Sequence, residues 1–347
     1  MSALRVGIAG FGLAGEVFHA PLVAAVPDLE VSGIVTTNPQ RQAKARDTYP
    51  YALVVPAVDE LWGSIDVLVV AAPNRAHVPL GLAALENGVA VVMDKPLAGS
   101  ADEAQQLVDA AEGAGVPFTV FQNRRFDADF LTARRLLDEG ALGTVTRFES
   151  RFERFRPEVG EGWRELGDPE EGGGLLLDLG AHLVDQAREL FGPPLRVYAE
   201  LAARRPGAQV EDDVFVALEH PNGEDSHLWM SAVAPLHGPR FRISGTLAGF
   251  ATDGLDPQEA QLQQGMRPGD TGFALAPPGQ LVTAEGSEEV PLEPGAYVRF
   301  YEAVVPWIRD GAPPPVDPRD SLACMRVLEA ARRSASTHSA IELEGAS

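Results

Sequence analysis

Cysteine occurs once in the 347 residues, at Cys324, so no disulfide can form within the chain. That suits a reducing compartment, and a cytoplasmic protein is expected. Lysine is nearly as scarce: of 28 lysines and arginines together, only Lys44 and Lys95 are lysines. Positive charge of any kind is in deficit, since 50 acidic residues leave a formal net charge of −22. Such a surface repels phosphate backbones and anionic lipid, which argues against nucleic acid and membrane partners. An anionic ligand must then be held by local backbone dipoles rather than by the field of the whole molecule. Long apolar runs are missing as well, and none approaches the roughly 20 residues that span a bilayer. The apolar start, Leu4 to Gly15, lacks the basic cluster of a signal peptide and is broken by Glu16 and His19. No metal site is expected. What remains is a chain with 45% hydrophobic residues, globular in composition and long enough for two domains.

The first third alternates strand and helix patterns. Leu4 to Ala9 reads as a strand, Glu16 to Ala25 as a helix, Glu30 to Thr36 as a strand and Gln40 to Arg46 as a helix. Asp66 to Ala72, Gly88 to Met93 and Phe118 to Phe121 read as further strands, with helices over Ala76 to Glu86 and Ala101 to Ala114 between them. Ser100 with Glu103 forms a capping box for the last of these. This order predicts a doubly wound parallel sheet over residues 1–122. From 123 to 347 the pattern changes to an α+β domain with a large, mainly antiparallel open sheet. Its strands are expected at Val145 to Arg154, Leu195 to Ala203, Val214 to Glu219, Ser226 to Ala232 and Arg240 to Thr246, with closing helices at Glu302 to Arg309 and Leu322 to Ser334.

Between the first strand and helix stands Gly10-Phe11-Gly12-Leu13-Ala14-Gly15, a G-x-G-x-x-G turn. The first glycine allows the tight turn, the second lets a pyrophosphate reach the backbone, and the third lets helix and strand pack closely. A nicotinamide dinucleotide is the expected cofactor. An acid for the adenosine ribose is expected about 20 residues further on. That position holds Thr36, Thr37 and Asn38 instead, with Arg41 close by. A carboxylate would repel a 2′-phosphate, whereas hydroxyls, backbone N–H groups and a forked guanidinium accept one, so NADP is expected over NAD.

The strand from Gly88 to Met93 stops at Asp94-Lys95-Pro96. Open α/β sheets bind ligands at the carboxyl ends of their strands. Lysine, unlike arginine, can give up its proton there. Pro73-Asn74 and His77 follow another strand on the same rim. The Lys95-Pro96 bond is expected to be cis. In the second domain, Asp178 and His182 lie four apart in a segment of helical spacing, Leu175 to Leu190, with Asp185 beside them. A histidine next to a carboxylate can act as a base near neutral pH. Gly180 in mid-helix implies that something approaches closely there.

Taken together these residues resemble the Gfo/Idh/MocA family of nicotinamide-dependent oxidoreductases. The likeness rests on the glycine loop, Pro73-Asn74 with His77, Asp94-Lys95-Pro96 and the helix with Asp178 and His182, in that order along the chain. Phe18-His19-Ala20-Pro21, Asn123-Arg124-Arg125-Phe126-Asp127 and Arg154-Phe155-Arg156-Pro157 followed by Trp163-Arg164 are similar to the branch of NADP-dependent scyllo-inositol dehydrogenases. Two departures stand out: aspartate at 94 where glutamate is usual, and phenylalanine at 126 where tryptophan is expected. The resemblance implies hydride transfer between a secondary alcohol of a sugar or polyol and NADP or NAD. It implies Lys95, Asp178 and His182 as catalytic and substrate-binding residues, with Arg154, Trp163 and Arg164 as a polyol wall. It implies Gly10 to Gly15, Thr36, Thr37, Asn38, Arg41, Pro73, Asn74, His77, Lys95, Pro96 and Asn123 on the cofactor side. For His19 and His77 packing is the plainer role. A homodimer or homotetramer, paired through the exposed face of the second domain's sheet, is also implied. The competing classes are a nicotinamide-binding sensor or corepressor, a dihydrodiol or biliverdin type of reductase, and a glycosidase that uses the dinucleotide transiently.

Overall fold

Short, fully apolar strands need cover on both faces, and the first unit supplies it. Strands β1 (Leu4–Ala9), β2 (Leu29–Val35), β3 (Leu53–Val55), β4 (Val67–Val70), β5 (Ala90–Met93) and β6 (Phe118–Val120) form one six-stranded sheet in the order β3-β2-β1-β4-β5-β6. Every pair in it is parallel. All residues of β4 and β5 are buried. Because the strands run the same way, the turns after β1, β2, β4, β5 and β6 share one rim. The Asp94 N–H donates to Val70 O and the Ala71 N–H to Ala9 O, which aligns those ends. The computed structural model describes residues 2–160, 165 and 173–343. The chain up to Phe126 forms this unit together with Pro257–Ala274 and Ala296–Leu322. The returning segments bring Leu262, Tyr297, Phe300, Tyr301 and Trp307 into the same core as Ile8, Ile34 and Val69. The boundary expected near residue 122 thus describes where the chain leaves the sheet, but not these later passages back to it.

The second unit comprises Asp127–Asp256, Leu275–Gly295 and the chain from Ala323 onward. Strands β7 (Val145–Glu153), β8 (Arg196–Ala202), β9 (Asp213–Glu219), β10 (Asp225–Ser231), β11 (Phe241–Gly245), β12 (Gly249–Thr252), β13 (Gly279–Val282), β14 (Ser287–Val290) and β15 (Ile341–Glu342) make a nine-stranded sheet. Its order is β14-β13-β12-β11-β7-β10-β9-β8-β15. Among the described residues only the β7–β10 pair of this sheet is parallel. Burial along β9 alternates strictly, with Val214, Val216 and Leu218 inside and Phe215 and Ala217 half-exposed. That is the period-two signature of a sheet covered on one face.

Candidate functional site

The glycine loop is shaped as its residues require. Gly10 has φ +101°, and a Cβ there would stand 2.4 Å from the carbonyl oxygen of Ala71. A Cβ on Gly15 would stand 2.0 Å from the oxygen of Gly10 and 3.3 Å from Ile8 of β1. The third glycine therefore closes the loop on itself as well as packing on the strand. The helix that follows begins as a wide π-helix over Ala14–His19, in which the Ala20 N–H reaches back to Gly15 O, and narrows to an α-helix over Ala20–Ala24.

At the end of β2, Thr36 is buried while Thr37 and Asn38 are exposed. Asn38 caps the helix Pro39–Thr48 by accepting the Arg41 N–H at 3.0 Å. The cap sets Arg41 in the first turn, and its guanidinium lies over the glycine loop, 3.6 Å from where a Gly12 Cβ would sit. Arg41 pairs with no carboxylate among the described residues.

After β4, Asn74 is 8% exposed on a short 3-10 turn, and its Nδ2 has no hydrogen-bond partner among the described residues. A buried amide donor left over at the rim fits a group supplied by a bound dinucleotide. His77 is 1% exposed, with Nδ1 3.0 Å from Pro96 O and Nε2 3.0 Å from Ala72 O, so it straps the turn after β4 to the turn after β5. Burial pushes its imidazole below the ordinary range, against the pull of Asp94. The Lys95-Pro96 peptide is cis. Lys95 is half-buried, and its backbone N–H donates to Asp94 Oδ1 at 2.8 Å. Burial pushes the Asp94 carboxyl up, but the His19 ring, Lys95 and His77 together hold it below the usual carboxylate range. Asn123 is buried on the turn after β6. A dinucleotide fits these residues: a cradle closed to any Cβ, an unused amide donor and a cation above the loop.

In the second unit the expected single helix is two. Leu175–Asp178 ends at Leu179, which has φ −103°, and Gly180–Phe191 follows. The break is shallow, since the Leu183 N–H still donates to Leu179 O. The close approach at Gly180 comes from the core, because a Cβ there would press on Leu328, Leu176 and Met230 at 3.2–3.3 Å. His182 is 5% exposed with the Phe152 ring edge-on at 6.4 Å. The same helix is anchored to the sheet through Gln186, which accepts from Arg240 at 2.9 Å, while Arg240 stacks on Phe152 at 4.2 Å. Asp185 is buried beside Cys324, with 3.8 Å between Oδ1 and Sγ.

Asp178 and Arg154 line one cavity of about 100 Å³, together with Ser231, Arg156, Arg205 and Glu211. Arg205 is held by Asp212 at 2.8 Å and Glu211 by Arg332 at 2.9 Å, so both are braces. Neither carries a sequence signal, because each reaches the cavity from a distant turn with no local motif. Arg156 carried a signal in its Arg-Phe-Arg-Pro stretch. Trp163 and Arg164 lie outside the described residues. Among those residues no His, Cys, Asp or Glu cluster could hold a metal ion, and no helix is long and apolar enough to cross a membrane.

Fold and rim chemistry set the chain among NAD(P)-binding oxidoreductases. Residues 4–122 match the oxidoreductase family with the NAD-binding Rossmann fold, and residues 130–251 match the GFO/IDH/MocA C-terminal domain. The chain belongs to the Gfo/Idh/MocA family. It is 34% identical to scyllo-inositol 2-dehydrogenase (NADP(+)) IolW of Bacillus subtilis, covering 99% of this chain and 97% of that one. It is 38% identical to the uncharacterized oxidoreductase YdgJ of Escherichia coli, over 96% of each. The solved structure of the oxidoreductase yvaA from Bacillus subtilis superposes with a TM-score of 0.93 at 33% identity, covering 99% of both chains.

Proposed function

We propose that this chain is a dehydrogenase that oxidises a secondary hydroxyl of a sugar or inositol-like polyol, with NADP preferred over NAD. The observation that carries the chemistry is Lys95, one of two lysines in the chain, at the carboxyl end of a buried strand on the rim that holds the glycine loop. The bound nicotinamide supplies the acceptor for the hydride. Lys95 donates a hydrogen bond to the reacting oxygen and stabilises charge as it develops there. His182 accepts the hydroxyl proton, and Asp178 holds a neighbouring hydroxyl and shares the proton network. Arg154, beside Asp178 in the same cavity, binds a further hydroxyl.

Arg41 above Gly12, with no acid at the end of β2, supports the preference for NADP. The dehydrogenases IolW and, at 28% identity, D-xylose 1-dehydrogenase 2 of Haloferax volcanii both have NADP(+) in their names. The enzyme acts as a homodimer or homotetramer. Reduction of NADP and NAD by a panel of inositols and aldoses tests the reading. Repeated turnover with at least one polyol is expected. Tight cofactor binding without turnover on any of them would point to a sensor instead.

A further inference from the structure

His19 is fully buried, yet it is no apolar filler. Its Nδ1 lies 2.5 Å from the hydroxyl of Tyr301, and its Nε2 lies 3.7 Å from Asp94 Oδ2. Its ring packs on Phe121 with centroids 4.6 Å apart. Two features bring it there. His19 is the last residue of the π-helix, whose extra residue per turn rotates the following side chains relative to an α-helix. Tyr301 comes from the returning helix Val298–Asp310, in the same unit. With its proton on Nε2, facing the carboxylate, the His19 ring accepts the Tyr301 O–H at Nδ1. Burial holds the Tyr301 phenol well above its ordinary pKa, so that donor stays protonated.

Asp94 faces this network with one oxygen, across 3.7 Å and without a direct hydrogen bond, and serves Lys95 with the other, since Oδ1 accepts the Lys95 N–H. The side chain that faces His19 is thus the one that fixes the backbone of Lys95. We propose that His19, set by Tyr301, is a positioning residue for Lys95 and acts through Asp94. The shorter aspartate belongs to this arrangement, because one of its oxygens accepts the adjacent N–H while the other faces the buried ring at 3.7 Å. The consequence for turnover rests on the role of Lys95 proposed above, but the positioning itself does not.

The scarcity of lysine makes the test direct. Protein labelled with ¹³C at the lysine ε-carbon gives two ε-methylene signals, Lys44 and Lys95, and a Lys44→Arg variant assigns them. Spectra are recorded with NADPH bound, so no polyol is needed. Tyr301→Phe, which removes one hydroxyl and keeps the ring, is expected to move the Lys95 signal by more than its line width and leave Lys44 in place. His19→Gln, which keeps a donor near Asp94, is expected to move it less than His19→Phe. Turnover in Tyr301→Phe is expected to fall by about 10- to 100-fold with NADPH affinity unchanged, the scale of a misplaced catalytic group. A Lys95 signal that superimposes on wild type in a folded Tyr301→Phe protein overturns the proposal. A shifted Lys95 signal in a protein that oxidises no polyol upholds the positioning and defeats only the dehydrogenase reading.

Discussion

Among single residues, a few that are costly to place shape the site. Gly10 and Gly15 admit no Cβ, and Asn74 keeps an unused amide donor in a buried turn. Lys95→Met and His182→Asn are each expected to lower kcat by ~10²–10⁴ while NADPH still binds, the usual contribution of acid–base and oxyanion groups. Steady-state rates paired with fluorescence titration of NADPH check this, and near-normal turnover in either variant removes that residue from the mechanism. Arg41→Ala is expected to weaken NADP by ~1.5–3 kcal/mol, the scale of a charged hydrogen bond, and to leave NAD almost untouched. Calorimetric titration with both dinucleotides decides it, and equal losses for both would mean that Arg41 does not read the 2′-phosphate. Lys95 and the glycine loop were legible in the sequence because each sits beside its own strand. The His19 network was not, since Tyr301 lies 282 residues away and nothing in the local pattern announces a π-helix.

Elements show the same division between local and distant causes. Five of the six parallel strands follow from apolar runs in the sequence, and the Ser100–Glu103 capping box marks one of their helices; β3, three residues long with Leu53 exposed, carries too little pattern to be read. β12, β13 and β14 went unseen, because four-residue strands among glycine, proline and aspartate carry too little periodicity. The break at Leu179 was hidden by unbroken leucine spacing, and the return of 257–274 and 296–322 is fixed by aromatic packing across the core. One element contact has a pH signature. His220 joins the β9–β10 hairpin to the end of the helix Gly180–Phe191, with Nδ1 3.0 Å from Gly192 O and Nε2 2.9 Å from Ser226 Oγ. Burial pushes its imidazole down to about 4. The unfolded chain takes up a proton near pH 6.5 and the native site does so only near 4, so this contribution is full above pH 6.5 and is lost as pH falls through that window. It amounts to about 3 kcal/mol over the full window. The melting midpoint of the wild type should therefore drop between pH 7 and 4.5 by more than that of His220→Gln. Equal slopes would show that His220 is not the group responsible.

For the whole molecule, net charge has a direct consequence in solution. A net charge of −22 repels itself in the folded state, and salt screens that repulsion over about 8–10 Å at physiological strength. Scanning calorimetry should show the melting midpoint rising from low to moderate salt; a fall would mean that attractive ion pairs dominate. The half-exposed side of the nine-stranded sheet carries Phe215 and Trp229, 5.2 Å apart, with Arg151 over the Trp229 ring at 4.0 Å. Pairing through that face predicts two or four chains by light scattering, and one chain for Trp229→Asp.

Polyol oxidation with a nicotinamide cofactor is the activity proposed for this chain. The most direct test is kcat/KM for scyllo-inositol, myo-inositol and common aldoses with NADP and with NAD, run beside the Lys95→Met variant. Many turnovers of NADP per active site are expected with at least one polyol, with a higher kcat/KM for NADP than for NAD and loss of turnover without Lys95. Saturable NADP binding with no turnover on any polyol, or turnover that survives Lys95→Met, would contradict it.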